Sequence, residues 1–226
     1  MQKAPQFLDF LDLIIYSLGF SVGSLIMSKH ETRIQKKNHV VILDAGLKIF
    51  SQFGFRGSTL DQIATESGLS KPNILYYFAS KEAIYEALLA QLLAHWLKPV
   101  RDINPDGDPI EEILGYAKHK MMMSRLYPRE SRLYANEIIQ GAPRIKNALT
   151  GELREVVSTL VTLMNKWSRA GLIRSVDAHH LIFSIWAMTQ HYADFDVQVQ
   201  AVLGEGDHFP DAERYFEDML RRMLTV

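Results

Sequence analysis

The 226-residue sequence contains no cysteine, and it has no segment of useful length in which polar and apolar residues alternate. Without cysteine the chain has no disulfide, no thiolate zinc site and no cysteine nucleophile. Its stability must therefore come from packing, and the composition suits a reducing compartment such as the cytoplasm. Because period-two alternation is the mark of a half-buried strand, we expect an all-α protein.

Residues 1–28 differ from the rest of the chain. The apolar stretch "FLDFLDLIIYSLGFSVGSLIM" is interrupted by Asp9 and Asp12, and the uncharged remainder is shorter than the roughly 18–20 residues that span a bilayer. No small-x-small cleavage site marks a signal peptide. We interpret residues 1–26 as an untranslated segment upstream of Met27, and residues 1–35 together as an N-terminal extension and mobile basic arm. A membrane anchor is the alternative, but no membrane partner is expected.

Charge is unevenly distributed along the sequence, although the net charge is only -1. Between Lys29 and Lys81, eight basic residues outnumber four acidic ones, which gives +4, whereas the residues from Glu82 onward carry -4. A basic N-terminal part can face phosphate while the larger acidic part faces away.

Helical periodicity begins at "NHVVILDAGLKIFSQFG", where apolar residues recur at steps of four. This predicts a helix over residues 38–54, with Asn38 as its N-cap and Gly54 as its stop. Thr59 and Gln62 fit a capping box that opens a second, short helix. Further helices are predicted over residues 71–78, 81–98, 110–127, 131–140, 143–170, 177–202 and 210–225.

The two short helices around Gly68 have the pattern of a helix-turn-helix. Gly68 supplies the positive φ that a tight turn requires, and apolar residues are spaced to hold both helices on a core. The second helix would then present Ser70, Lys71 and Asn73 to the major groove. Taken alone, the spacing of Ala64 and Gly68 four residues apart is a weak signal. Lys71 and Lys81 would also fit a solvated helix face, and we expect Tyr76 and Phe78 to close a small core.

The segment "GLKIFSQFGFRGSTLDQIATESGLSKPNILYYFASKEAIYEALL" resembles the DNA-binding domain of the TetR family of bacterial one-component transcriptional regulators, over about residues 36–88. The motifs "FSQFGF", "LYYF.SKEA" and "HLIF.IWA.TQHYADF" are also similar to the regulator of pyrimidine utilisation in enteric bacteria. The resemblance implies a repressor that binds palindromic double-stranded operator DNA as a homodimer and pairs through its last two long helices. It also implies that Tyr77 and Lys81 contact phosphates, on a DNA surface formed by Thr59, Ser70, Lys71, Pro72, Asn73, Leu75, Tyr77 and Lys81. On this basis the chain divides into the arm, a DNA-binding domain over residues 36–82, and an effector-binding and dimerisation domain over residues 83–226.

Trp186 and Gln190 are candidates for an effector site, because residues four apart share one face of a helix. An indole can stack on a flat heterocycle, and an amide can pair with its C=O and N–H edge. Without the resemblance, core packing is the better interpretation of this pair; with it, a uracil-like pyrimidine base is the implied effector. Secondary candidates are Trp96, Tyr134, Glu137 and Asp194.

Other functions remain open at this point. A TetR-type regulator of an efflux or lipid gene would bind a different effector, and an architectural DNA-binding protein would bind none. The sequence shows no nucleophile–base pair and no phosphate-binding glycine loop, so we predict no enzyme, no catalytic residue and no cofactor. His180 and His191 share a helix face, but no third ligand is evident and no metal site is predicted.

Overall fold

The computed structural model describes residues 33–226, and the regular elements in that range are all helical. The predicted all-α fold is therefore confirmed. The helices are α1 (Arg33–Gly57), α2 (Leu60–Ser67), α3 (Lys71–Tyr77), α4 (Lys81–Arg101), α5 (Pro109–Leu126), α6 (Pro128–Ile139), α7 (Lys146–Ala148), α8 (Arg154–Arg169), α9 (Ala178–Asp194), α10 (Asp196–Leu203) and α11 (Phe209–Leu224), with a π-helical turn at Leu149–Leu153. Within the described range no helix is both long and apolar enough to cross a bilayer. The interpretations of residues 1–26 lie outside the described residues.

The chain forms two compact units, and the boundary falls between Gln91 and Leu92, inside α4. This boundary separates two units that are each packed within themselves. The division after residue 82 instead separates the predicted DNA-binding and effector-binding domains, and it stays a prediction. Residues 33–35, which were assigned to the mobile arm, belong to α1.

The N-terminal unit packs α1, α2, α3 and the first part of α4 around one small core. Phe50 and Tyr85 meet edge to face, with ring centroids 4.9 Å apart, and both are buried. Gly46 allows α1 and α4 to approach closely, since a Cβ atom there would lie 2.8 Å from Cγ2 of Ile84. A larger residue at 46 would therefore push the two helices apart.

Local signals at the helix ends are largely as predicted. Gly54 interrupts α1 with φ 66°, the Thr59–Gln62 capping box is present, and Gly68 has φ 68° at the end of α2. The expectation that Asn38 is an N-cap is wrong, because α1 already begins at Arg33. The apolar stripe does not reach this first turn and a half, so periodicity gave no sign of helix there.

The C-terminal unit has its main core between α5, α8, α9 and α11. Trp167 is buried in it and its Nε1–H donates to the carbonyl oxygen of Pro105 at 3.2 Å, which holds the segment before α5 against α8. A smaller cluster of Met121, Ala212 and Phe216 joins α5 to α11.

Two long helices predicted in the C-terminal unit are each divided. Residues 177–202 form α9 and α10, separated at Phe195, because the Ser131 hydroxyl donates to Asp194 at 2.6 Å and Arg132 donates to the Ala193 carbonyl oxygen at 3.1 Å. Residues 143–170 form α7, the π-helical turn and α8. Contacts with α6 hold the end of α9, and such contacts are invisible to local periodicity.

Candidate nucleic-acid interface and effector site

The helix-turn-helix consists of α2, the turn at Gly68 and Leu69, and α3. The backbone N–H of Gln62 donates to Oγ1 of Thr59 at 3.2 Å, and the Thr59 N–H donates to Oε1 of Gln62 at 2.8 Å. At the start of α3, Oγ of Ser70 accepts from the Asn73 N–H at 3.3 Å. Both helices therefore begin with a side-chain cap, which satisfies backbone donors that a helix start leaves unpaired.

One side of α3 is held in the core and the other is presented outward. Ile63 and Ile74 are fully buried, which anchors α2 and α3. Asn73 is half-buried, and the exposed side chains around it are Ser70, Lys71, Pro72 and Leu75. We call Ser70, Lys71, Pro72, Asn73 and Leu75 the recognition face. Its contact with DNA stays a prediction, and Thr59 lies exposed before α2.

Lys71 forms an ion pair with Asp61, with 3.0 Å between Nζ and Oδ2. Both side chains are largely exposed, and exposed ion pairs contribute only about 0–1 kcal/mol to stability. A phosphate could therefore displace Asp61 from Lys71 at little cost.

The two tyrosines of α3 are tied to the beginning of α1. The Tyr77 hydroxyl accepts from Nδ2 of Asn38 at 3.0 Å, and the Tyr76 hydroxyl accepts from Nε2 of Gln35 at 3.1 Å. Tyr76 is 70% exposed, so the expectation that it closes the core is wrong, whereas Phe78 is buried as predicted. Tyr76 lies two residues after buried Ile74, which on a helix points it to the opposite side.

Lys81 has a structural contact that sequence reasoning missed. Its Nζ donates to the carbonyl oxygens of Phe55 and Ser58, both at 2.7 Å, and lies 4.3 Å from the centroid of the Phe55 ring. These contacts fasten the end of α1 and the residue that follows it to the start of α4. The phosphate contact expected of Lys81 stays a prediction.

In the C-terminal unit, Trp186 is half-buried and its single N–H is already used. Nε1 donates to the Tyr116 hydroxyl oxygen at 2.6 Å, which joins α9 to α5. Burial raises the pKa of Tyr116 to about 12, so this hydroxyl stays protonated. Trp186 therefore offers a ligand its ring and not its N–H.

Trp96 and Tyr134 lie together with a buried lysine. Their ring centroids are 4.7 Å apart in an edge-to-face arrangement, and Nζ of Lys120 lies 4.4 Å from the Trp96 ring centroid. Lys120 interacts electrostatically with Asp194, whose carboxylate accepts from Ser131. We call Lys120, Trp96, Tyr134, Ser131 and Asp194 the Lys120 cluster. Lys120 was not predicted; its signal was a lysine within the apolar stretch around "YAKHKMMM".

Gln190 lies one turn from Trp186 and one turn from Asp194 on the same face of α9. Tyr116 and Lys120 are likewise one turn apart on α5. Since Tyr116 bonds Trp186 and Lys120 faces Asp194, Gln190 lies along this face between the Trp186–Tyr116 bond and the Lys120 cluster. Five of the six candidate effector residues are thus brought to neighbouring positions, namely Trp186, Gln190, Trp96, Tyr134 and Asp194.

Glu137 is the exception, since its carboxylate is already bound by Arg144. Glu137 is 1% exposed, Oε1 accepts from the Arg144 backbone N–H at 2.8 Å, and Oε2 accepts from Nη1 at 3.3 Å. These bonds close the turn after α6. Glu137 therefore stabilises this turn through Arg144, and we do not include it in the effector site.

Burial also shifts the titration of the Lys120 cluster. Burial lowers the pKa of Lys120 to about 8, and the attraction of Asp194 offsets part of this change. Burial also raises the pKa of Asp194, and it raises the pKa of Tyr134 to about 12.

As for metals, the part of the chain from residue 33 onward contains no group of three or more His, Asp or Glu residues arranged to hold an ion.

Comparison with known proteins matches both parts of the chain to family models. Residues 42–88 match the tetR family of bacterial regulatory proteins, and residues 89–225 match the C-terminal region of YcdC-like proteins. The chain is 44% identical over 182 residues to the HTH-type transcriptional regulator RutR of Escherichia coli K12, covering 80% of this chain and 86% of RutR.

Solved structures show the same fold at low sequence identity. The TetR family regulator PfmR of Thermus thermophilus superposes with a TM-score of 0.62 at 19% identity, over 80% of this chain and 97% of PfmR. GusR of Salmonella enterica has a TM-score of 0.60 at 18% identity, over 85% of this chain and 97% of GusR. The domain matches and the 44% identity to RutR show that the chain belongs to the TetR family of DNA-binding transcriptional regulators, which are not enzymes.

Proposed function

We propose that the protein is a ligand-responsive repressor of pyrimidine catabolism or related nitrogen-scavenging genes. It binds palindromic operator DNA as a homodimer in the cytoplasm and is released by a uracil-like effector. The observation that carries the proposal is the shared face of Trp186 and Gln190 beside the Lys120 cluster, in a chain 44% identical to RutR.

On the DNA side, the proposed contacts combine phosphate binding with base reading. The start of α3 is the positive end of its helix dipole, and Lys71 adds positive charge, both of which favour phosphate. The Asn73 amide can donate to and accept from an adenine edge, and Leu75 can contact a thymine methyl group. Thr59, Pro72, Tyr77 and Lys81 complete the proposed surface.

Two such surfaces are needed for a specific operator. One short helix neutralises few phosphates, whereas a dimer that reads two half-sites multiplies both affinity and specificity. Exposed apolar side chains on α9 and α11, such as Phe183 and Tyr215, support pairing of two copies through these helices. The proposed dimer therefore uses the last two long helices of the chain.

On the effector side, the neighbourhood of Gln190 combines aromatic rings with hydrogen-bonding groups. The Gln190 amide has one acceptor and two donor hydrogens, which complement the C=O and N–H edge of uracil. Trp186 offers its ring for stacking. A cationic effector, as expected of an efflux regulator, would be repelled by the ammonium group of Lys120.

Release from DNA requires that the effector bind the DNA-incompetent state more tightly than the DNA-bound state. Helix α4 carries Lys81 at its beginning and Trp96 near its end, so one element includes residues of both proposed sites. Binding is then reciprocal, and saturating operator DNA weakens effector binding by the same factor. An effector affinity unchanged by operator DNA would contradict the coupling.

The direct test is thermal unfolding at fixed protein concentration with uracil, thymine, cytosine or uridine. A ligand at about 100 times its dissociation constant adds roughly 2.7 kcal/mol, enough to raise the melting midpoint by several degrees. Uracil or thymine should stabilise the wild type and not Gln190→Ala, while Gln198→Ala on α10 is the matched control. If no pyrimidine stabilises the wild type and a fatty acid does, the lipid-gene alternative replaces this proposal.

A further inference from the structure

Lys120 is the most deeply buried charged side chain of the candidate effector region that has no close ionic partner. It is 5% exposed, and within residues 33–226 its Nζ makes no hydrogen bond and no close ion pair. Its ammonium group instead lies against the Trp96 ring. Lysine side chains are almost never fully buried without an ionic partner.

The neighbours compensate this charge only in part. The attraction of a cation to an aromatic face is smaller than the penalty for removing an ammonium group from water. Asp194 attracts Lys120, but its carboxylate already accepts from Ser131 and Asp194 is itself half-buried. Three N–H donors of one buried group therefore remain available to an acceptor.

We propose that Lys120 is the anchoring donor of the effector site and that its ammonium group binds an exocyclic carbonyl oxygen of a flat heterocycle. This inference rests on the proposed pyrimidine effector and adds the residue that selects for an oxygen acceptor. Gln190, on the facing helix, reads the adjacent N–H and C=O edge, and the Trp96 ring bounds the same space. The ligand class is a neutral or anionic heterocycle with a carbonyl group, and cationic amphiphiles are excluded.

The test compares uracil affinity, measured by calorimetry, in the wild type, Lys120→Met and Lys118→Met. Methionine keeps the length of the lysine stem and fills core space well, so the fold should be retained. Hydrogen bonds to charged groups contribute about 1.5–3 kcal/mol, so we expect Lys120→Met to lose about 10- to 150-fold in affinity. Lys118 is a nearby half-exposed lysine paired with Glu217, and its replacement should change affinity less than twofold.

A ligand series separates a contact from a merely structural effect. Sulfur accepts hydrogen bonds poorly, so either 2-thiouracil or 4-thiouracil should bind the wild type more weakly than uracil. In Lys120→Met that difference should disappear, which a loss of folding or a general distortion would not produce. If replacing uracil by the thio analogue weakens binding by the same factor in the wild type and in Lys120→Met, the inference is overturned.

The outcomes also distinguish this inference from the proposed function. If uracil binds Lys120→Met as tightly as the wild type while Gln190→Ala loses binding, the effector proposal stands and the role of Lys120 is wrong. If the wild type binds no pyrimidine, both fail.

Should Lys120→Met not fold, the native protein provides a second readout through lysine side-chain NMR. Uracil should raise the pKa of Lys120 above about 8, because an oxygen acceptor stabilises its charged form. The titratable groups acting on it are Asp194 on α9 and His119 on α5, with Tyr134 on α6 across the Trp96 ring. A pKa of Lys120 unmoved by saturating uracil would overturn the inference.

Discussion

The Nε1–H of Trp186 donates a hydrogen bond to the Tyr116 hydroxyl oxygen at 2.6 Å, joining α9 to α5 across the core of the C-terminal unit. Since an indole has one N–H, this bond determines which part of Trp186 a ligand can meet. It also predicts a stability change that can be measured without any ligand.

Tyr116→Phe should lower the free energy of unfolding by about 1–3 kcal/mol, because it leaves the Trp186 N–H unpaired away from water. Urea denaturation followed by tryptophan fluorescence measures the change. Tyr76→Phe is the control, since the Tyr76 side chain is exposed on α3 and water can replace its bond to Gln35, so stability should shift by less than about 0.5 kcal/mol. Equal stability of Tyr116→Phe and wild type would show that the bond contributes nothing.

Lys71→Ala should weaken operator binding and make it less sensitive to salt. Each lost phosphate contact reduces the slope of log affinity against log salt by about 1, so a dimer that loses two contacts should show a reduction of about 2. Fluorescence anisotropy at several salt concentrations gives the slope, and light scattering checks that the variant keeps the oligomeric state of the wild type. Asp61→Asn, which removes the ionic partner of Lys71, should bind at least as tightly as the wild type. If the salt dependence of operator binding has the same slope in Lys71→Ala and in the wild type, Lys71 does not contact DNA phosphates.

Lys81→Met should destabilise the N-terminal unit by about 1.5–3 kcal/mol, because two carbonyl oxygens lose a charged donor. A lysine that only contacts phosphate would leave stability unchanged on replacement. Urea denaturation without DNA therefore separates the two roles. Lys166→Met, an exposed lysine on α8, serves as control and should leave the midpoint within error.

Gly68→Ala should cost about 1–2 kcal/mol through backbone strain alone. Gly68 has φ 68°, which residues with a Cβ adopt unfavourably, yet the added Cβ would meet no atom within 4 Å. Gly115→Ala is the matched comparison, because Gly115 lies exposed within α5 and also has open space around it. That substitution should stabilise the protein by up to about 1 kcal/mol. Opposite signs for the two changes in urea denaturation would confirm the assignment, and equal signs would contradict it.

The stability of the wild type should rise between about pH 8 and 10.5 relative to Lys120→Met. Burial lowers the pKa of Lys120 from 10.5 to about 8, so in this window the unfolded chain binds more protons than the folded one. The penalty for the buried charge is complete below about pH 8 and disappears as pH rises through the unfolded pKa. Urea denaturation at several pH values measures the difference, and parallel curves for the two proteins would show that Lys120 titrates normally.

The helix-turn-helix was predictable from sequence to within individual residues. The Thr59–Gln62 capping box and the positive φ of Gly68 each involve groups no more than three positions apart, so the pattern alone specifies them. The buried pair Ile63 and Ile74 followed from spacing for the same reason. Tyr76 was misplaced because an aromatic residue was assumed to enter the core, whereas its helix position points it outward.

The effector region was predictable only in part. Trp186 and Gln190 share a face because of their spacing, but spacing could not show that Tyr116 occupies the indole N–H or that Arg144 binds the Glu137 carboxylate. Lys120 was not among the predicted residues. Its burial against Trp96 depends on which side of α5 faces α4, and neither helix encodes that alone.

What the sequence by itself determined is the set of local elements: the helical character of the chain, its caps and turns, and the apolar faces of its helices. Those depend on interactions within about one helical turn. Only the tertiary structure decided where α9 ends, what Lys81 fastens and which charge is buried beside the candidate effector residues. Each of these depends on atoms brought together from distant positions in the chain, such as Lys81 with Ser58, 23 residues away, and Ser131 with Asp194, 63 residues away, and that proximity is set by packing and not by pattern.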